Sequence, residues 1–425
     1  MKNLLYKGPL VFALLFSGAC SSTSSTVEPP KIASIASSPV HESDLVWEST
    51  PRVLGPGSGA QLWVRASESI NMIHAMPGEK GSNLYYKNSH NEGHSFEHAK
   101  IINKVPGEVS AHGENNPQLR MGPGIGIYAL WEGERQLKFS RSMNFGRSFL
   151  PPVQVNDDKG PSSHSFFTME TSARGEIYAA WLDGRDKATE PPGHSSIYLA
   201  RSIDQGATFG KNIKVSGNIC PCCRPALAID PNGTLYLAWR HILKGDERVI
   251  VVASSSDSGK TWSAPVPVTK KGWVINGCAH SGPAMKWIKG KLILTWYTAA
   301  ENKARLLMTT SNDGGKTFSS PRSIHGPVLD PNHPHMAEVG GEAWIIFQGR
   351  YPDKQDGWGA AIPWVTRVTA EGKTTKPQAL PAGENGIAYP QLFPGNGGRL
   401  YAVWIEFGKK GPQMMLSRGR LKPGS

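Results

Sequence analysis

Between residues 219 and 268 the chain alternates short apolar runs with turn residues. Runs rich in β-branched and aromatic residues lie at 226–229, 235–239 and 249–254, separated by Pro231-Asn-Gly233 and Lys244-Gly-Asp246. A further run at 262–268 follows Asp257-Ser-Gly259. Runs of this length bounded by Gly, Asn and Asp predict strands joined by tight turns, here a four-stranded antiparallel meander. The second strand recurs at 127–131, 177–181, 292–296, 343–347 and 400–404. Its spacing of roughly 45 to 60 residues is that of a blade repeat. One meander leaves a face uncovered, so the repeats are expected to stack around an axis as a β-propeller. Trp131, Trp181, Trp239, Trp296 and Trp404 recur within this strand and read as blade core rather than as a sugar-stacking set.

Units fall at 118–155, 166–215, 226–268, 284–324, 336–380 and 391–421, preceded by a less regular one with strands at 61–65, 70–76, 83–88 and 96–102. The segment 45–54 resembles a fourth strand with no partners before it, and the last unit has only three strands. The N-terminal strand is therefore expected to complete the last unit, closing the ring and removing an open edge. This makes seven blades, or six if the irregular unit elaborates its neighbour. The chain of 425 residues, with 47 Gly, 33 Pro and 39% hydrophobic residues, then reads as one all-β domain at 45–425, where length alone suggests two or three. Its net charge of +12 is spread along the chain without a basic arm. That pattern suits solubility and attraction to anionic surfaces or polymers, and argues against nucleic acid.

Ahead of the repeats, residues 1–19 combine Lys2 and Lys7 with an apolar stretch and small residues, as in a secretory signal. Cys20 sits where a bacterial lipoprotein carries its lipid, and the Ser/Thr/Pro-rich stretch 20–44 reads as a tether. The expected location is the bacterial cell envelope, facing the periplasm or the surface through an N-terminal lipid. A soluble periplasmic or secreted protein is the alternative, since Ser17-Gly18-Ala19 also suits ordinary signal peptidase.

A short motif separates the third and fourth strands of successive units: Ser89-His-Asn-Glu-Gly-His-Ser-Phe96, Ser142-Met-Asn-Phe-Gly-Arg-Ser-Phe149, Ser202-Ile-Asp-Gln-Gly-Ala-Thr-Phe209, Ser255-Ser-Asp-Ser-Gly-Lys-Thr-Trp262 and Thr310-Ser-Asn-Asp-Gly-Gly-Lys-Thr-Phe318. Asp or Asn accepts backbone bonds across the turn, Gly takes a positive φ, and the aromatic packs into the blade. These copies resemble the Asp boxes of the sialidase (neuraminidase) superfamily of BNR-repeat β-propellers. The fold implied is the propeller already read from the repeats; activity does not follow from fold.

Loops joining one unit's fourth strand to the next unit's first strand lie opposite the Asp boxes and are rich in chemistry. They carry His112, His164, Cys220, Cys222, Cys223, Arg224, Cys278, His280, His325, His333, His335 and Tyr389. Aligning the first strands places His164, Cys222 and His280 at one height, facing one volume. Thiolates and imidazoles in an envelope protein suit copper or zinc, with Cys220, Cys222, Cys223, Cys278 and His280 as ligands. Two disulfides are the competing reading, at least one through Cys278, since adjacent Cys222 and Cys223 rarely pair with each other. His112, His164, Arg224, His333 and His335 are the candidates for contact with a small-molecule or glycan ligand.

The resemblance implies a second set of roles. Sialidases hold a carboxylate with three arginines and use a Tyr nucleophile polarised by Glu, with an Asp as acid and base. Ala388-Tyr389-Pro-Gln-Leu392 resembles the nucleophile's context, which makes Tyr389 the candidate. Arg224 and Arg350 are the candidate carboxylate ligands, and Asp183 in Trp-Leu-Asp-Gly-Arg185 is the best available acid/base. Arg52-Val53-Leu54 only weakly resembles the family's opening Arg-Ile-Pro. Gly-x-Ser-x-Gly, His-Glu-x-x-His and Walker sequences are absent. Three functions are open at this level: a ligand- or metal-binding propeller, an exo-acting glycoside hydrolase of sialidase type, and an interaction scaffold with structural disulfides.

Overall fold

The meander that organises the repeat pattern folds as strands Ala226–Ile229, Leu235–Ile242, Glu247–Ser255 and Val266–Pro267, paired antiparallel in sequence order. Gly233 and Gly245 turn the chain between them at φ 89° and 80°, a region closed to most side chains. The computed structural model describes residues 45–352, 359–369, 372–409 and 411–422. The signal, the tether and Cys20 lie outside them.

The described residues form an all-β structure of four-stranded antiparallel units, with one 3-10 turn at Ala300–Asn302. The irregular first unit is Ser58–Val64, Ile70–Gly78, Gly81–Ser89 and Lys100–Ile101. The second begins at Gln118–Met121, the third at His164–Thr171, the fifth at Ala284–Ile288 and the sixth at Leu329–Val339. Units one and two are bridged by Val109–Ser110, and units three and four by the pair Ile219 and His241, so each couple forms one continuous sheet. The fourth strands are shorter than the apolar runs suggest. In the 262–268 run only Val266–Pro267 pairs, because Trp262 ends the Asp-box turn and packs inward instead of continuing a ladder.

The last unit has three strands of its own, Ile387–Pro394, Arg399–Gly408 and Gly411–Leu421. Its outer edge is covered by two N-terminal strands rather than one: Leu45–Trp47 pairs with 419–421, and Arg52–Pro56 with 413–416. Arg418 ties this junction by bonds to Glu48 and Glu92. Apolar clusters lie between units as well as within them. Tyr128, Phe139, Phe167 and Trp181 join the second unit to the third. Ala60, Leu62 and Met72 of the first pack on Tyr401, Val403 and Leu416 of the last. Burial of Trp131, Trp181, Trp239, Trp296 and Trp404 agrees with their reading as core.

Each Asp box closes on itself through one bond pattern. In the fourth unit Ser255 Oγ donates to Asp257 (2.8 Å), and Asp257 accepts the Thr261 N–H (3.0 Å) while Ser255 Oγ accepts that of Gly259 (2.9 Å). The same bonds recur from Ser202 with Asp204 and from Ser311 with Asp313. The motif is a structural turn, and it is saturated.

Candidate functional site

First strands meet at their leading ends, and those of the second through the last units border one cavity of about 680 Å³, counting its open mouth. Four of them enter through a bulge, where the register shifts at Gly59, Phe166, His333 and Tyr389. All four have positive φ, 63°, 50°, 52° and 52°. Bulges of this kind re-aim a side chain and free its N–H from the ladder. The freed N–H groups are caught by side chains: Phe166 by Asn115 Oδ1 (2.6 Å), His333 by Ser281 Oγ (3.2 Å) and Tyr389 by Gln348 Oε1 (3.1 Å). Strain in a non-glycine backbone is thus held by specific partners at the cavity.

Charged side chains gather in two clusters on the cavity wall. Arg120 grips Glu170 with two bonds, Nε to Oε2 at 3.1 Å and Nη2 to Oε1 at 2.9 Å, and Lys286 reaches the same carboxylate at 3.4 Å. Burial pushes the Glu170 carboxyl up, but Arg120 and Lys286 outweigh it and hold it at about 2. Across the cavity Glu114 accepts a bond from His333 Nδ1 (2.8 Å) and another from the Gly282 N–H (2.7 Å). Its burial is outweighed by His333, Arg224 and Gly282, which keep it below the usual carboxylate range. A carboxylate offers only acceptors, so Nδ1 of His333 carries the hydrogen of this bond, and Nε2 is the nitrogen not engaged by Glu114.

The ring of His333 meets that of Tyr389 edge to face, centroids 4.7 Å apart. A Cβ built on Gly113 would lie 3.5 Å from the Tyr389 hydroxyl, so this phenol reaches the turn that carries Glu114. Burial and the Glu114 charge push Tyr389 up from its ordinary value, which keeps it protonated. His335 accepts the Leu392 N–H at Nδ1 (3.2 Å), and burial with Arg224, Lys286 and Arg120 nearby sets it well below ordinary histidine. Arg224 lines the same cavity, and among the described residues no carboxylate lies within 4.0 Å of it.

The other sequence candidates lie elsewhere. His164 is fully buried, its Nδ1 against the Arg135 carbonyl (2.7 Å) and its Nε2 against Asp158 (2.8 Å). Asp183 sits in the same network, accepting from Trp181 Nε1 (2.7 Å) and from the Arg185 N–H and Nε. It is saturated and does not line the cavity, so it is not placed to act as an acid there. Arg350 pairs with Asp330 (3.2 Å) and the Gly359 carbonyl, also off the cavity. His112 is exposed, edge-on to Phe166.

The expectation that His164, Cys222 and His280 face one volume does not hold. His164 joins Asp158 and Asp183, the cysteines form their own cluster, and His280 is exposed. Sulfurs of Cys220, Cys222 and Cys223 stand 3.5 to 4.0 Å apart. Those of Cys220, Cys222 and Cys278 lie within 4.8 Å of one another. All four are free thiols, so the disulfide reading is not met: a bond needs about 2.05 Å.

Sequence reasoning missed Glu114, Arg120, Glu170 and Lys286. The available signal was polar residues at every second position of a first strand, Gln118 with Arg120 and Thr168 with Glu170, on units whose other positions are core.

Residues 175–347 match the BNR repeat-like domain. No curated protein matches. Among solved structures, polysaccharide lyase Uly1 aligns at 11% identity and a TM-score of 0.55, covering 87% of this chain and 91% of its own. The NanB sialidase of Streptococcus pneumoniae aligns at 10% and 0.48, covering 88% and 93%. The Hadza microbial sialidase Hz136 aligns at 16% and 0.47, covering 81% and 74%. With its Asp boxes in place, the chain carries a central region, residues 175–347, that is similar to the BNR repeat-like domain.

Proposed function

We propose that the units close into a seven-bladed β-propeller whose axial cavity binds and cleaves an acidic polysaccharide. The ring is supported by clusters joining each unit to the next, the last to the first included, and by the N-terminal strands on the last unit. One observation carries the catalytic reading: Glu114, His333 and Tyr389 are contiguous in a cavity that also holds Arg224.

Arg224 neutralises the sugar carboxylate, which acidifies the C–H beside it. His333, oriented by Glu114, takes that proton at Nε2. The C–H electron pair forms a C=C bond as the bond to the glycosidic oxygen breaks, and Tyr389 gives its proton to the leaving oxygen. Elimination is preferred because neither cavity carboxylate holds a proton near neutral pH: Glu170 sits at about 2 and Glu114 below its ordinary value. The acid's role falls to Tyr389. A lyase of similar fold supports the scaffold's capacity for this chemistry and nothing finer.

Hydrolysis with Tyr389 as nucleophile is the second reading, favoured by the reach of its hydroxyl to the Glu114 turn. A panel of uronate polysaccharides and sialosides separates the two. Elimination yields the ultraviolet absorbance of an unsaturated uronate; hydrolysis yields new reducing ends without it. Turnover of no acidic glycan, or turnover unchanged in Arg224→Ala, overturns the proposal.

A further inference from the structure

Behind the cavity wall, four thiols meet two buried guanidinium groups, and the catalytic reading uses none of them. Three sulfurs come from the turn 220–223, and Cys278 comes from the link that precedes the fifth unit. A cation with metal–sulfur bonds of about 2.3 Å in a tetrahedral site separates its sulfurs by about 3.8 Å. The spacings of 3.5, 3.7 and 4.0 Å straddle that value, and Cys278 stands within 4.8 Å of Cys220 and Cys222.

The charge balance points the same way. Arg248, 8% exposed, donates to Cys220 Sγ at 3.3 Å, and among the described residues its only ion pair is a 3.6 Å contact with the exposed Asp246. Arg240, 1% exposed, bonds only the carbonyls of Ser281 and Tyr297, and no carboxylate lies within 4.0 Å of it among the described residues. The Nε groups of both are buried without a partner. Two buried cations cost several kcal/mol each unless an anion faces them. Four thiolates around a monovalent or divalent cation carry a net negative charge that these arginines face, and N–H···S bonds are the usual outer support of such a centre.

We infer that Cys220, Cys222, Cys223 and Cys278 bind one thiophilic cation, Zn2+ or Cu+, at the junction of the third, fourth and fifth units. Exposed His280 is not a ligand. The ion clamps two loops that border the cavity: Cys223 is followed directly by Arg224, and the Cys278 link leads to Ser281 and Gly282, which bond His333 and Glu114. This site stands independently of the saccharide reading.

The test loads the reduced full-length protein with Co2+ as a spectroscopic probe, then with Zn2+ or Cu+ alone, and measures the metal content of protein purified natively. About one equivalent of either ion, with a sulfur-to-cobalt charge-transfer band, is expected. Cys278→Ser, at a partly exposed position, should keep the wild-type circular dichroism and weaken binding at least about tenfold, while Cys222→Ser should abolish the band. No band from protein in which Cys220, Cys222, Cys223 and Cys278 all titrate as thiols overturns the inference. So does an unchanged band and affinity in both variants.

Discussion

Glu170 concentrates the electrostatics of the cavity in one side chain. Its folded value of about 2 lies below the ordinary carboxylate value, so its contribution to stability is fully present above about pH 4.3 and fades as pH falls through about 2. Glu170→Gln should cost about 3 kcal/mol near neutral pH and flatten the acid limb of a melting-temperature profile, because Arg120 and Lys286 lose their shared anion. His335 acts with the opposite chemistry and the same sign. Its folded value is depressed, so the unfolded chain binds the extra proton and stability falls as pH drops below about 6.5. His335→Gln should remove that portion of the profile, the loss of stability that sets in as pH falls below about 6.5. Glu114→Gln leaves His333 without its anionic partner, and turnover should drop about 10²-fold with KM little changed. Tyr389, His333, His335 and Arg224 were legible in the sequence, since each opens a unit in a chemically rich loop. Glu114, Arg120, Glu170 and Lys286 were not, because a lone charge in or beside a short strand reads as a solvated face until other units close around it.

Among the elements, the Asp-box turn was readable because every bond in it is local. Its glycine does more than the motif reveals. A Cβ on Gly206 would fall 2.1 Å from the Phe139 ring of the preceding unit, and one on Gly146 would fall 2.3 Å from the Tyr86 hydroxyl. Gly206→Ala combines that clash with a φ of 80° and should lower stability by about 2–3 kcal/mol in chemical denaturation, with the site chemistry intact. The bulges at His333 and Tyr389 were not legible, because their cause is the capture of freed N–H groups by Ser281 and Gln348, far away in sequence. The same limit explains His164 and Asp183. Strand alignment places them at loop height, but the Arg135 carbonyl and Asp158 draw one into the protein while Trp181 and Arg185 saturate the other.

For the whole molecule, repeat spacing and the missing fourth strand of the last unit were enough to anticipate the N-terminal pairing. The split into two short strands was not: between the pairs Trp47–Gly419 and Arg52–Leu416 the N-terminal segment has two more residues than its partner, so 48–51 leave the ladder. A chain beginning at residue 57 should melt well below one beginning at residue 45 and aggregate, since the edge of Gly411–Leu421 is then bare. The proposed ring matters to function because no single unit holds the cavity: Glu114 and Arg120 come from its early part, Arg224 from the middle, His333 and Tyr389 from the end. Turnover of a uronate polysaccharide by the wild type and by Tyr389→Phe, with binding followed by calorimetry on the same samples, is the decisive measurement. Elimination through Tyr389 requires Kd to stay nearly constant while the unsaturated product forms about 10² to 10⁴ times more slowly. Equal rates in the two proteins, or binding lost together with turnover, would contradict the account.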